Sequence, residues 1–277
     1  MEQGQGTVRG LKEDFNMTRM LIVAVALVVA VGAAHGQTDV TENISTNTTW
    51  DLAGSPYRVH GAIGVTSSST LTIDPGVTVK FHEDATLWTY GGCSIVADGA
   101  YGNEILFTSN AIIPAQRDWI SVMSWQSPAS SFSHCVFEYA HYGLYPDHSD
   151  PIISHCTFRN CYYGILCEEA SPQIASCDMI QNWCGIGIIG PDAAPVINDC
   201  NLYDNTSFNM YVSGYVDPPM ATIDAQSNWW GTDVGAEIES SIYIFDSPYI
   251  EIDYDPWLPD VPVEPLSWGR VKALFVR

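Results

Sequence analysis

The sequence predicts an all-β solenoid in which coils of 21–23 residues stack on one another. The first observation is a repeat that occurs four times between Ser131 and Tyr211. Its cysteines recur at intervals of 21, 21 and 23 residues: Cys135, Cys156, Cys177 and Cys200. A large apolar residue stands two positions after each of them: Phe137, Phe158, Met179 and Leu202. A fixed period of this length is typical of solenoids, in which each repeat buries its apolar face against the next.

The second observation is the composition. Only 15% of the residues are charged, and Gly, Asn, Ser, Thr, Tyr and Trp are abundant, which favours strands over helices. No segment beyond residue 36 carries a sustained apolar period of about 3.6 residues with caps, so we expect almost no helix.

The charge balance limits the partners. Of 10 Lys and Arg and 32 Asp and Glu, residues 1–36 hold three of each sign, which leaves 7 against 29 in residues 37–277. A net charge of −22 repels nucleic acids and anionic membranes. It also repels acidic polysaccharides such as pectate unless calcium bridges them.

Residues 1–36 are typical of a secretory signal peptide. The apolar run Met20–Val31 is shorter than the roughly 20 residues needed to cross a bilayer. We expect cleavage after Gly36, with cleavage after Ala34 as the alternative site. Met17 is an alternative start, and an uncleaved anchor is the alternative interpretation. The predicted location is secreted, extracellular or cell surface, with the periplasm as an alternative. No membrane span is expected in the mature chain.

The solenoid domain is predicted over residues 37–258. It begins with a polar, turn-rich stretch at Thr38–Val65, which we expect to form the first coil or an N-terminal cap. From Leu71 to Phe81 apolar and polar residues alternate around Pro75-Gly76, which predicts two strands joined by a turn. Two further strands are predicted, at Ser94–Ala97 and Ile105–Thr108.

Three patterns resemble a known family. Residues 70–109 contain TLTIDPGVTVKF and then GGCSIVADGAYGNEILFTS. Residues 151–167 and 172–188 repeat a proline, alternating apolar residues and a final Gly-Ile pair. A closing pattern follows: Asn228, Trp229, Trp230, Gly231 and Thr232, then Tyr254, Asp255 and Pro256. Over about residues 45–258 the chain is similar to secreted bacterial proteins of the pectin-lyase-like superfamily.

The resemblance implies a single-stranded right-handed parallel β-helix of about ten coils. It implies no single activity, because the superfamily includes lyases, hydrolases, epimerases and proteins that are not enzymes. It also implies that Trp229 and Trp230, beside Asn228, form a structural plug over the core of the last coil.

Stacked parallel strands place equivalent residues of successive coils over one another. The alternation therefore predicts one inward set repeated in two coils: Ile153, Cys156, Phe158, Ile165 and Cys167, then Ile174, Cys177, Met179, Ile186 and Ile188. Three glycines recur at 21 residues: Gly143, Gly164 and Gly185. We expect them at corners that need a positive φ, with Asn209 at the fourth corner.

The cysteine column has three interpretations. The favoured one is a structural column of buried, reduced thiols that act as small apolar side chains. The alternatives are disulfides among the eight cysteines and a metal or redox site. The histidines that precede two of the cysteines, His134 and His155, are expected to point outward and stack, where they cannot converge with the cysteines on a metal.

Catalytic chemistry in the superfamily needs particular residues. A lyase would need a basic residue beside the substrate carboxylate, and a hydrolase would need a close pair of Asp side chains. The candidate bases fall on separate coils: Arg58, Lys80, Arg117 and Arg159. No Asp-Asp dipeptide occurs. We therefore predict no catalytic residue, and a protein that is not an enzyme is favoured.

No metal or cofactor is expected either. Asp147 and Glu168 should stack beside Glu169 as solvated charges. Weak calcium binding is the alternative.

An aromatic column gives the candidate ligand site. His141, Tyr162 and Trp183 precede the repeated glycines, beside Tyr142 and Tyr163. Exposed rings about 4.8 Å apart would form a ladder suited to the apolar faces of sugars. The alternative is that the rings only pack on one another and shield the turn.

These observations predict a secreted, non-enzymatic β-helix protein that binds polysaccharide or cell-surface glycan, or acts as a cell-surface or matrix interaction module. The alternative is a polysaccharide lyase or glycoside hydrolase with an unrecognised active site.

The composition changes at Pro259. Three prolines predict an extended linker at Pro259–Leu266. The following tail, residues 267–277, carries three of the seven basic residues beyond residue 36. It resembles short tails of secreted bacterial proteins that help in sorting or docking, and an unstructured terminus is the alternative.

Overall fold

A computed structural model describes residues 36–127, 129–217 and 219–259. The predicted signal peptide, except for Gly36, and the predicted linker and tail beyond Pro259 lie outside the described residues. The strands, in chain order, are β1 (Thr38–Val40), β2 (Thr48–Trp50), β3 (Tyr57–Val59), β4 (Ala62–Val65), β5 (Thr70–Ile73), β6 (Thr78–Phe81), β7 (Thr86–Tyr90), β8 (Ser94–Asp98), β9 (Ile105–Ser109), β10 (Trp119–Trp125), β11 (Ser131–Ser133), β12 (Cys135–Glu138), β13 (Ala140–Asp147), β14 (Ile152–Ser154), β15 (Thr157–Arg159), β16 (Tyr163–Glu168), β17 (Gln173–Ala175), β18 (Asp178–Ile180), β19 (Cys184–Ile189), β20 (Val196–Asn198), β21 (Asn201–Tyr203), β22 (Phe208–Ser213), β23 (Ala221–Asp224), β24 (Ile242–Phe245) and β25 (Ile250–Asp253). One short helix, α1 (Gly235–Ser241), precedes β24.

The strands form three parallel sheets that run the length of the solenoid. Sheet A has the order β1-β3-β6-β9-β12-β15-β18-β21, and sheet B the order β4-β7-β10-β13-β16-β19-β22-β24. Sheet C has the order β2-β5-β8-β11-β14-β17-β20-β23-β25. The chain passes through sheets A, B and C in turn, so each full coil adds one strand to each sheet. The described residues therefore make eight to nine coils, where about ten were expected, and the predicted cap region Thr38–Val65 forms β1 to β4.

The interior consists of columns of equivalent residues. Phe107, Phe137, Phe158, Met179 and Leu202 follow one another in register on sheet A. Successive phenylalanine rings stack with centroids 4.6 and 4.8 Å apart, which is the spacing of the strands that carry them. Every residue of the predicted inward set is at most 1% exposed. The prediction of the core is confirmed, because the period of the sequence is the period of the stack.

The corners differ from the prediction. One column of residues with a positive φ precedes the cysteines of the repeat and Asn228: His134, His155, Ser176, Asp199 and Ser227, at 48 to 57°. A second column lies at the next corner: Tyr139, Asn160, Gln181 and Asp204, at 55 to 65°. Asn, Asp and His adopt this left-handed conformation more readily than other residues with a side chain, and they supply five of these nine positions.

The expectation of a positive φ at Gly143, Gly164, Gly185 and Asn209 is wrong. The three glycines lie within strands of sheet B, and a Cβ at each would stand 2.6 to 2.7 Å from a carbonyl oxygen of the next coil. Glycine is needed here because two backbones approach closely. Asn209 occupies the equivalent position in the fourth repeat. A side chain is tolerated there because the next strand, β24, begins opposite Met210 and has no residue paired with Asn209.

The cysteine column forms a ladder of hydrogen bonds between coils. All eight cysteines are free and buried. The Cys156 N–H donates to the sulfur of Cys177 at 3.5 Å, and the Cys177 N–H donates to that of Cys200 at 3.4 Å. Asn228 continues the column, since its Oδ1 accepts the Cys200 N–H at 2.8 Å and its amide donates to the Ile197 carbonyl. Cysteine and asparagine therefore perform the same structural task. Burial raises the pKa of the thiols of Cys156, Cys177 and Cys200 far above the range of a reactive thiolate.

A second ladder was not predicted. The Cys161 N–H donates to Asn182 Oδ1 at 2.9 Å, and the Asn182 N–H donates to Asn205 Oδ1 at 3.0 Å. The amide of Asn182 in turn donates to the Phe158 carbonyl at 3.0 Å. This column shares its 21- and 23-residue spacing with the first, but its change from cysteine to asparagine hides it in the sequence.

The predicted plug lies at the far end of the core. Trp229 forms a bridge with Asn201, and the Leu202 N–H donates to the Trp229 carbonyl at 2.8 Å. Trp230, which is 2% exposed, follows Leu202 in the interior. Trp229 is only half-buried, so Trp230 is the residue that fills the position expected of a plug.

Replacing Gly164 by alanine tests the close approach of the coils. The added Cβ would meet the Gly185 carbonyl oxygen at 2.6 Å, so Gly164→Ala should lower the free energy of unfolding by about 1–3 kcal/mol. Gly235→Ala is the control, because a Cβ there meets only Trp257 at 3.5 Å and alanine favours α1. Chemical denaturation measures both, and an equal effect of the two substitutions would contradict the assignment.

Replacing Asn182 tests the second ladder. Asn182→Ala should cost about 2–4 kcal/mol of unfolding free energy, because a buried N–H of Cys161 and a buried carbonyl of Phe158 both lose their partners. Asn182→Cys should recover part of the loss, since the Cys161 thiol already bonds the Phe137 carbonyl in the same column. Equal destabilisation by alanine and cysteine in the same unfolding measurement would show that cysteine does not substitute for asparagine.

Candidate functional site

The outer face of sheet B and the corner that precedes it carry a continuous group of ten aromatic side chains. We call it the aromatic cluster: His141, Tyr142, Tyr145, Tyr162, Tyr163, Trp183, Phe208, Tyr211, Tyr243 and Phe245. Each ring contacts at least one other ring of the cluster, with centroids 4.2 to 6.5 Å apart. The register explains this arrangement, because Tyr142 lies beside Tyr163, and Tyr211 lies beside Tyr243, on neighbouring strands.

All five residues of the predicted ladder belong to the cluster, but they do not form a regular ladder of free ring faces. The His141 and Tyr162 rings meet at 78°, whereas Tyr162 and Trp183 stack at 18° with centroids 4.4 Å apart. The guanidinium carbon of Arg117 lies 3.4 Å from the centroid of the Tyr162 ring. The two stacked groups must occupy opposite faces, so Tyr162 has no face left for a ligand.

The open rings lie at the two ends of the sheet instead. Tyr243 and Phe245 on β24 are 42% and 53% exposed. Tyr90 and Trp125, on β7 and β10, are 49% and 39% exposed, and their centroids are 4.7 Å apart.

Gly187 makes the face between these ends flat. It lies between Leu166 and Tyr211 in register on the outer side of sheet B. A Cβ at Gly187 would come within 2.7 Å of Leu166 and 2.9 Å of Tyr163, so both side chains lie over the glycine.

A shallow cavity of about 230 Å³ opens beside Tyr90. Its lining combines aromatic, hydroxyl and small side chains: Val65, Thr66, Ser67, Ser68, Trp88, Tyr90, Gly91 and Cys93. This volume is below the roughly 300 Å³ typical of drug-sized ligand pockets, so it suits one small group rather than a whole cofactor.

An acidic margin borders the cluster. Asp147 and Glu168 lie side by side on β13 and β16, as predicted. Tyr145 donates its hydroxyl proton to Glu168, and His148 Nδ1 lies 2.5 Å from Asp147 Oδ1. Burial, together with Glu168, raises the pKa of Tyr145, which therefore stays protonated. Within the described part of the chain, no three His, Cys, Asp or Glu side chains are grouped to hold a metal.

The predicted histidine pair also stacks on the outside of the solenoid. The His134 and His155 rings are parallel to within 5°, with centroids 4.8 Å apart.

Three of the four candidate bases are engaged by other side chains. Arg58 donates twice to Asp39, at 2.8 Å each, and Arg159 lies 3.2 Å from Glu138. Arg117 is the residue stacked on Tyr162. These contacts hold the cations in structural pairs on the surface.

Sequence reasoning missed a polar group at the first coils. Arg58 and His60 hold the pKa of Asp39 at about 2 by hydrogen bonds. The His60 and His82 rings stack with centroids 3.9 Å apart. Asp39 and Arg58 are in register on β1 and β3, but they are 19 residues apart, so the period of 21 to 23 residues does not pair them.

The three parallel sheets, the interior columns and the ladders between coils define a β-helix solenoid. A family model described as the right-handed β-helix region matches residues 36–201. The chain therefore belongs to the right-handed β-helix family. Comparisons with curated proteins and with solved structures gave no significant match. No helix in the described residues has the length and apolar character required to span a membrane.

The pKa of His141 tests the contact geometry at the corner. Burial, and then the charge of Arg117, lower this pKa below its ordinary value of 6.5. Because the folded chain favours neutral His141, stability should fall as the pH drops below about 6.5. Arg117→Gln should raise the pKa of His141 without restoring it fully, since the burial remains, and NMR titration of the imidazole protons measures this. Arg159→Gln is the matched control and should leave the titration of His141 unchanged, whereas equal shifts in both variants would contradict the contact.

Proposed function

We propose that the protein is a secreted, non-catalytic binding module for carbohydrate polymers and that the outer face of sheet B is its binding surface. The observation that carries the proposal is the continuous aromatic cluster, with open rings on β24 at one end. Aromatic faces with polar edges suit the apolar faces of sugar rings. Tyrosine and tryptophan also provide contact area at a low cost in side-chain entropy.

The dimensions of the face favour a polymer over a small molecule. Aromatic side chains occur from β7 to β24, which lie six strand spacings apart in sheet B. At about 4.8 Å per spacing, the face is roughly 29 Å long. The cavity beside Tyr90 lies at the other end from β24, where it could hold a terminal or branching sugar unit.

The charge favours a neutral polysaccharide. Asp147 and Glu168 border the cluster, and the whole chain has a formal charge of −22. An acidic polymer would be repelled by this surface at low salt. The carboxylates and the hydroxyl-lined cavity offer hydrogen-bond partners for the hydroxyl groups of a neutral sugar.

A catalytic role has weaker support. The guanidinium groups of Arg58, Arg117 and Arg159 are held by Asp39, Tyr162 and Glu138. A base that takes a proton from a sugar would have to leave such a contact first. The signal-peptide pattern of residues 1–36 supports an extracellular location, where polysaccharides occur.

The double variant Tyr211→Ala/Tyr243→Ala tests the proposal. These rings lie beside each other on β22 and β24, and Tyr243 is 42% exposed, so their loss should weaken binding at least about tenfold. Affinity electrophoresis and calorimetry against neutral glucans, mannan and xylan, with polygalacturonate as the acidic comparison, measure the effect. Tyr101→Ala is the matched control, because Tyr101 is 56% exposed in the turn between β8 and β9, away from sheet B.

Circular dichroism must show the same β-sheet spectrum in both variants. Equal binding by the double variant and the parent chain would show that the aromatic face is not the binding surface. Release of reducing ends or of unsaturated sugars by the parent chain would favour a lyase or hydrolase instead.

A further inference from the structure

The corner between sheets A and B carries one loop that is longer than its equivalents in the following coils. It comprises residues 110–118, between β9 and β10, whereas the equivalent connections of the next two coils are Tyr139 alone and residues 160–162. The loop extends along the axis of the solenoid, because the side-chain amide of Gln116 donates to the Cys161 carbonyl at 3.1 Å. It therefore crosses the next coil and reaches the edge of the aromatic cluster.

Arg117 is held by this loop against the cluster. Its backbone φ is +70°, a conformation that bulky L residues rarely adopt. The carbon of its guanidinium lies 3.4 Å from the centroid of the Tyr162 ring. A large residue keeps a strained backbone only where the surrounding structure imposes it, and such positions are frequent at ligand sites.

The guanidinium of Arg117 has hydrogen-bond donors that remain available. A guanidinium stacked on a ring uses its flat face for the contact and keeps its N–H groups at the edges. Arg58 and Arg159 use these groups to bind carboxylates. Within the described residues Arg117 makes no salt bridge, and it is exposed. The neighbouring carboxylate of Asp118 accepts hydrogen bonds from its own segment instead.

The two sides of the outer face of sheet B differ in charge. Arg117 and Tyr162 lie at the corner with sheet A, whereas Asp147 and Glu168 end β13 and β16 on the side of sheet C. Glu168 lies six positions beyond Tyr162, which corresponds to about 20 Å in an extended strand. The face therefore has one unpaired cation on one side and two carboxylates on the other.

This arrangement limits the polymers that fit the face. A flat polysaccharide chain directs its substituents to both sides. If every sugar carried a carboxylate, some of them would meet Asp147 and Glu168 and be repelled. A neutral chain with occasional carboxylates can place one of them at Arg117 and none at the acidic side. The planar guanidinium matches a carboxylate with two parallel N–H···O bonds.

We propose that Arg117 binds the carboxylate of a uronic acid side group on an otherwise neutral polysaccharide. This inference rests on the proposed function, since the aromatic cluster is the surface that binds the neutral backbone of the polymer. Arg117 then selects the substituted polymer over the unsubstituted one. The stack on Tyr162 holds the guanidinium in position for the carboxylate.

Two polymers with the same backbone test the proposal. Glucuronoxylan is compared, by calorimetry and affinity electrophoresis, with the same preparation after its carboxyl groups have been reduced to alcohols. The parent chain should bind glucuronoxylan about tenfold more tightly, because hydrogen bonds between charged groups are the stronger ones. Arg117→Gln should remove this preference. Arg159→Gln is the matched control and should keep it, since Glu138 already binds Arg159 on sheet A.

Two further measurements keep the test informative if Arg117→Gln disturbs the loop. In the parent chain the preference for glucuronoxylan should decline at high salt, where charges are screened, while binding of the reduced polymer changes little. Arg117→Lys should keep only part of the preference, because an ammonium group has the charge but lacks the planar fork.

The failure of this inference is distinguishable from that of the proposed function. Equal binding of the two polymers by the parent chain would overturn the inference and leave carbohydrate binding in place. A preference that persists in a folded Arg117→Gln variant would also overturn it, since another cation would then bind the carboxylate. Binding of neither polymer would count against the proposed function as well.

Discussion

The stacking of one coil directly on the next, held by parallel backbone hydrogen bonds, is the constraint on which the whole structure depends. It fixes a distance of about 4.8 Å between equivalent residues. A side chain must then fit not only its own coil but also the same position of the coils on either side. Flat rings, small residues and groups that bond along the axis satisfy this requirement, and these are the residues that recur in the sequence.

The interior and the two ladders satisfy the constraint by different means. Phe137 and Phe158 do so by stacking, which adds about 0.5–1.5 kcal/mol per ring pair to the gain from burial. Cys177 and Asn182 do so by accepting an N–H from one neighbouring coil and donating to a carbonyl there. Gly164 does so by having no side chain at all. Aromatic residues on the outer side of sheet B are subject to the same spacing, which is why they form one connected surface.

The sequence was sufficient for the fold because periodicity alone determines which residues share a column. The inward residues from Ile153 to Ile188 were predicted by alternation and period, and each is buried. The role of Gly164 was misjudged, because a recurring glycine can mark either a turn or a close approach, and the period does not distinguish them. The ladder through Asn182 was missed because its members differ in residue type.

The candidate site was predictable only in part. The period brought the five predicted rings to one region of the molecule, since they occupy equivalent positions. The contact between Arg117 and Tyr162 joins residues in different parts of the repeat and follows no period, so only the structure reveals it. The open rings Tyr243 and Phe245 lie beyond the four clear repeats, where the coil is irregular and α1 interrupts it.

The ladders have a consequence for how such a chain changes its length. Each N–H bond of the two ladders joins neighbouring coils, across 21 to 23 residues within the repeats and across 28 residues between Cys200 and Asn228. Duplication of one period would therefore insert a coil whose donors and acceptors are matched by its two neighbours from the outset. Deletion of one period would rejoin equivalent partners in the same way. Asn228 accepts the last N–H of the cysteine ladder, and a change in the number of preceding repeats would leave this closing bond in place.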